Sequence, residues 1–231
     1  MSIKTMEAIF EKQCKDLLKN MERLLLFIIY PIVAAVITNT MITEGVPPTF
    51  FVSIFATMHA IFSPIMVAST MVAEEKEKKT LRELMLAKVT TMEFLVSIGS
   101  SIFVLTFITA IPFLIIGEYQ GMQAVGVMLC IAVGSLVSII LGMSLGALAK
   151  NSVSVNAFAM PAGMILSFGP MLAGFNSSIY KVTRFLYGQQ ISDWIQDTTA
   201  ITARGILVVL VNCVVILLIF VYAIHKSRKD R

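Results

Sequence analysis

Glu74-Glu75-Lys76-Glu77-Lys78-Lys79-Thr80-Leu81-Arg82-Glu83-Leu84 is the densest run of charge in the chain, and it hangs between two long apolar segments. Around it the composition is that of a membrane protein. The 231 residues are 57% hydrophobic and only 14% charged, with a mean hydropathy of +0.87. Soluble domains sit well below this, so a polytopic membrane protein is the default class. A helix needs about 20 apolar residues to cross a ~30 Å hydrocarbon core. Six predicted spans meet that need, at roughly 24–43, 50–73, 93–116, 122–149, 153–174 and 205–224. The expected fold is therefore all-α, with the charged run joining spans two and three.

The basic residues orient the chain. Of its 18 Lys and Arg residues, only Lys181, Arg184 and Arg204 fall on the side opposite the charged loop. The positive-inside rule puts both termini and the loop in the cytoplasm. No cleavable leader is expected, because the first apolar segment follows a long charged stretch and lacks a small-residue cleavage site. Cys14, Cys130 and Cys213 are odd in number and scattered, which argues against a disulfide framework or a zinc site.

Residues 1–23 read as an amphipathic helix. Met6, Phe10, Leu17 and Met21, with Ile3, Ile9, Cys14 and Leu18, make an apolar stripe; Lys4, Glu11, Lys12, Lys15, Asp16 and Lys19 occupy much of the rest. Such a helix lies in the membrane interface with its apolar face in lipid. A solvated leader that only anchors span one is the alternative.

The charged loop has its own local logic. Glu74/Lys78 and Glu75/Lys79 are i,i+4 pairs with the acid first, the better orientation, so span two is expected to continue past the membrane. Thr80-Leu81-Arg82-Glu83 has the capping-box form, and Thr90-Thr91-Met92-Glu93 repeats it at the start of span three. Between the two caps a helix of about nine residues fits, roughly 13 Å long at 1.5 Å per residue. Leu81, Leu84 and Met85 form its apolar face. A short helix set between two caps can act as a lever; a solvated loop without a partner is the other reading.

The residue order in this loop resembles a family signature. Permease subunits of type-2 ABC exporters carry Glu-x-Glu-x-Gly-Thr-Leu-x-x-Leu just after their second span, and Glu75, Glu77, Thr80, Leu81 and Leu84 fall on those positions. Lys79 stands in place of the Gly, Lys88 where a Pro is common, and Ile98 in place of a frequent Lys at the start of span three. The resemblance implies a coupling helix at about 80–90, with Arg82 among its docking residues, seated in a groove of a cytoplasmic ABC ATPase. It also implies an amphipathic interface helix over 1–23 and a permease domain over 24–231. Two permeases, identical copies or close paralogues, would sit above two ATPase subunits in the bacterial cell membrane. ATP and Mg would be bound by the partner, with no cofactor in this chain.

Other chemistries find little support in the sequence. No Gly-x4-Gly-Lys-Ser/Thr phosphate loop occurs, so this chain is not expected to hydrolyse ATP or to be an enzyme. No Ser-centred nucleophile motif or metal-ligand spacing appears, and no nucleic-acid partner is implied. Ion-coupled carriers need ionisable groups inside the bilayer, and the predicted spans contain one clear case, His59. It is a pathway candidate, or a neutral histidine bonded to a neighbouring helix.

Gly134, Ser138, Gly142 and Gly146 recur every fourth residue in span four and read as a close-packing face. Span five carries Pro161 and Pro170, with Met160, Met164, Phe168 and Met171 near one face. Met surfaces adapt to varied apolar cargo, so these four are pathway candidates; ordinary helix packing is the alternative. Residues 176–200 suggest two short amphipathic pieces, one with Ile179, Val182, Phe185 and Leu186, the other with Ile191, Trp194, Ile195 and Thr198, separated at Gly188. Members of the family have a pair of external re-entrant helices at this position. The expected cargo is hydrophobic or amphipathic, because the interior is apolar and Met-rich. Small permeases of this form are similar to exporters of toxic or antimicrobial peptides, including those giving self-immunity. Export of drugs or lipid-like molecules, or an ATP-independent channel or carrier, are the alternatives.

Overall fold

The computed structural model describes residues 3–40, 48–78 and 90–229. Among these residues the secondary structure is helical throughout, and six helices are long and apolar enough to cross a membrane. The chain is a multi-pass membrane protein. In order the elements are α1 (Ile3–Lys19), α2 (Met21–Thr40), α3 (Pro48–Glu77), α4 (Thr91–Ile116), α5 (Gly121–Leu148), α6 (Ser152–Phe175), α7 (Ser177–Thr183), α8 (Tyr187–Gln196) and α9 (Ala203–Lys229).

Local chemistry sets the boundaries. Asn20 ends α1 and caps α2: its side-chain oxygen accepts from the Arg23 amide at 3.2 Å, and its carbonyl from Leu24 at 3.0 Å. That cap starts the first span at Met21, three residues before the predicted edge. Thr90 and Glu93 form the predicted reciprocal capping box at the head of α4. Asn151 and Ser154 form another at the head of α6. The turn from α4 to α5 uses positive φ at Glu118 and at Gly121, both 54°.

α3 is the central element. Its apolar window is 72% buried, against 17% for both α2 and α9. It packs against α2, α4, α5, α6 and α8. The contact with α5 is closest, and the four-residue glycine spacing permits it. A Cβ on Gly142 would lie 2.6 Å from the Ile65 carbonyl oxygen, and one on Gly146 2.4 Å from that of Ser69. Only hydrogen at these positions lets the two backbones meet. Ser63 adds a cross-helix bond, donating to the Leu26 carbonyl at 2.6 Å.

α1 does not present its whole apolar stripe to one environment. Ile9, Gln13 and Leu17 are buried, as α1 packs against α4 and α2, whereas Leu18 and Met21 are exposed. The stripe is shared between the bundle and the outside.

The segment before α9 forms two short helices, as the periodicity suggests, but Gly188 does not separate them. It lies inside α8, where a Cβ would stand 2.0 Å from the Leu166 carbonyl oxygen. The break falls at Arg184–Leu186. α8 buries Tyr187, Ile191, Trp194 and Ile195 and packs against α3, α5, α6 and α9. The Tyr187 hydroxyl pairs with Ser138 of α5 at 2.9 Å.

Candidate functional site

The last four residues of α3 carry the start of the charged run, and each engages a different neighbour. Glu74 accepts from Arg23 at the start of α2 and from Lys78 at 3.1 Å. Glu75 pairs with Lys12 of α1 at 3.6 Å. The Lys76 ammonium donates to the carbonyls of Ala147 and Ala149, both at 3.0 Å. Glu77 accepts from the backbone amide and hydroxyl of Ser152, at 3.0 and 2.8 Å.

The signs match the helix termini. Carbonyls at the end of α5 carry partial negative charge and receive a cation; amides at the start of α6 carry partial positive charge and receive an anion. Lys76 and Glu77 thus clamp both sides of the α5–α6 turn from the end of α3. Arg23 and Lys12 tie the same helix end to α2 and α1. The result is a charged lock that joins α1, α2, α3, α5 and α6 where the chain leaves for residues 79–89.

The other anchor of that segment is the capping box on α4. Glu93 closes back on the Thr90 amide at 2.8 Å, while the Thr90 hydroxyl accepts from the Glu93 amide at 3.2 Å. The segment thus leaves from a helix end fastened to four neighbours and returns at a capped first turn of α4. A cleft of about 650 Å³ lies between the α1–α2 junction and the end of α3, with Gln13, Asn20, Arg23, Glu74 and Lys78 in its walls.

Of the predicted coupling residues, Glu75 and Glu77 sit in the lock. Thr80, Leu81, Arg82 and Leu84 lie outside the described residues, as do Lys79 and the predicted short helix.

The pathway candidates do not share one surface. His59 is fully buried. Its Nε2 lies 3.1 Å from the Thr106 carbonyl and 3.2 Å from the Thr109 hydroxyl. Phe27, Tyr30 and Phe113 surround the ring, with centroids 5.4–6.5 Å away. Thr109 donates to Leu105 at 2.7 Å, so the ring can satisfy Thr106 as a neutral donor at Nε2. Among the described residues no carboxylate pairs with it. Met160 and Met164 are exposed on the outward face of α6, with Phe168 and Met171 half-buried beside them. The opposite face of α6, with Ala159, Gly163 and Ser167, packs inward; Gly163 faces the Phe62 ring.

Sequence reasoning missed Lys12, Arg23, Lys76 and Ser152 as parts of the lock. Their signal was weak: Lys76 is one more cation in a charged run, and Ser152 becomes a partner only when α5 and α6 approach α3. Among the described residues no group of three or more His, Cys, Asp or Glu is placed to hold a metal ion. Neither a scan against protein-family models nor a search of curated proteins finds a match to this chain.

Proposed function

We propose that this chain is the permease subunit of an ATP-driven ABC exporter, moving a hydrophobic or amphipathic substrate, a peptide by preference, out of the cytoplasm. The observation that carries the reading is the charged lock. The two motif glutamates that precede Thr80 are built into it: Glu75 ties α3 to α1, and Glu77 ties α3 to α6. A load applied to residues 80–90 by a docked ATPase would enter the bundle through a helix end already fastened to four other helices. Interiors are close-packed and transmit strain, so the load would move spans and not merely bend a tether.

The remaining parts follow from this reading. Two copies, or this chain and a paralogue, associate through exposed apolar spans, and two ATPase subunits bind below, supplying ATP and Mg. Both termini are cytoplasmic. α8 plugs the bundle end opposite the lock, and the open α6 face, with Met160, Met164, Phe168 and Met171, faces the cargo. Drug or lipid-like cargo is compatible with the same surfaces.

The test is assembly. Leu81→Asp together with Leu84→Asp removes the apolar face of the predicted coupling helix. A partner ABC ATPase co-expressed with this chain should co-purify with the parent protein and be lost from the double variant, which should still insert in the membrane. Co-purification at parental stoichiometry would refute the coupling assignment.

A further inference from the structure

At the end of the bundle opposite the lock, α7, α8 and α9 enclose a small crevice of about 150 Å³. Its walls include Tyr180, Arg184, Gln190, Thr202 and Arg204. The crevice is held open by specific contacts. Gly205 brings α9 against α8, since a Cβ there would meet the Gln190 side-chain oxygen at 2.6 Å. Asn212 ties α9 to the α7–α8 turn by donating to the Phe185 carbonyl at 2.9 Å. Gln190 fastens the other side by donating to the Arg184 carbonyl at 2.8 Å.

Two guanidiniums line this space, and among the described residues neither has a carboxylate within ion-pair distance. The Arg184 Nε is buried and has no hydrogen-bond partner among the described residues. Asp193 accepts from the wall residue Tyr180 at 3.3 Å and from Gln189 at 2.8 Å, and it pairs with neither guanidinium. Thr202 accepts from the Gly205 amide at 3.1 Å, which leaves its own hydroxyl hydrogen free to donate at the positive end of α9. The Arg184 guanidinium also lies over the Phe185 ring, 4.7 Å from its centroid, and two like charges on one small crevice, with a buried donor unmet, favour an anion there. The space holds about five waters at ~30 Å³ each, room for one tetrahedral oxyanion.

We propose that this crevice binds a phosphate group, its oxygens bridging Arg184 and Arg204. Planar guanidiniums recognise phosphate through paired, charge-assisted hydrogen bonds. Its position favours the headgroup of a membrane phospholipid. Val208 lines the crevice one turn along α9, and exposed Leu207 and Val211 continue as an apolar track for an acyl chain. The site is independent of the exporter reading.

The chain supplies its own reporter. Trp194 is the only tryptophan, and its ring edge stands 3.1 Å from where a Gly205 Cβ would be. In detergent, Trp194 fluorescence should respond saturably to short-chain phosphatidylglycerol but not to the matching diacylglycerol, which lacks phosphate. Arg184→Gln or Arg204→Gln should each weaken phosphatidylglycerol binding by about tenfold or more, the scale of one lost charge-assisted bond. Lys181→Gln, outside the crevice, should leave it unchanged. Because Arg204 is exposed, its variant keeps the test valid should Arg184→Gln misfold. Saturation by inorganic phosphate alone, abolished by the same variants, would support the phosphate site and assign it to a free anion. Equal response to phosphatidylglycerol and diacylglycerol, or parental affinity in Arg204→Gln, would overturn the proposal.

Discussion

Lys76→Met keeps most of the unbranched side chain and removes its charged end, which isolates the clamp on the α5–α6 turn. In the parent the ammonium bonds the Ala147 and Ala149 carbonyls at 3.0 Å each. Hydrogen bonds to charged groups contribute about 1.5–3 kcal/mol each when shielded. Lys76 is partly exposed, so solvent reduces the pair to about 1–2 kcal/mol in total. That is too little to unfold a six-span bundle, but it is large for a local opening. A change of this size multiplies an opening equilibrium by about 5–30. Native-state hydrogen exchange with fragment mass spectrometry reads it directly. Exchange at residues 149–154 should rise by that factor in Lys76→Met, because the Ala149, Ser152 and Ser154 amides are bonded within the clamped turn. Exchange in α8, at the other end of the bundle, should not change. Parental protection at 149–154, or loss of protection everywhere alike, would refute the clamp.

Other consequences are equally specific. Gly188→Ala should lower thermal stability by about 1–3 kcal/mol or more, since the new methyl meets the Leu166 carbonyl; Gly174→Ala, which meets nothing within 4 Å, should not, and differential scanning fluorimetry distinguishes them. With the native cysteines removed, Lys78→Cys and Arg228→Cys should resist an impermeant thiol reagent in intact cells while Lys181→Cys is labelled; labelling of all three would break the proposed orientation. Thr80→Val removes a predicted cap worth about 1 kcal/mol. Complex assembly and ATP binding should survive, while cargo-stimulated ATP hydrolysis and export fall together; parental values for both would make the loop a tether.

The spans were legible because each is a long apolar run and the membrane demands nothing subtler. Their ends were less so. α3 continues four residues past the apolar run, as its i,i+4 pairs suggested, but the partners that Glu74–Glu77 find on other helices left no period in the sequence. The i,i+4 Glu74–Lys78 pair and the Thr90–Glu93 box were readable, since both depend on neighbours in the chain. Gly188 was misread because glycine usually punctuates local structure, whereas here it fits one backbone against another. Gly142 and Gly146 were readable as packing positions because their regular spacing exposed one face of the helix. In α1, periodicity found the apolar stripe but not its division: Gln13 is buried between Ile9 and Leu17 while Leu18 is exposed. The candidate site was half visible. Glu75 and Glu77 stood out by motif, but their partners Lys12 and Ser152 are remote in sequence.

The most direct test of the exporter account is transport in proteoliposomes. The chain is reconstituted alone and with its ABC ATPase, and movement of a labelled amphipathic peptide is followed with and without ATP and Mg. The account predicts transport only when both proteins, ATP and Mg are present. Peptide movement by this chain alone, unaffected by ATP, would contradict it and identify a channel or carrier.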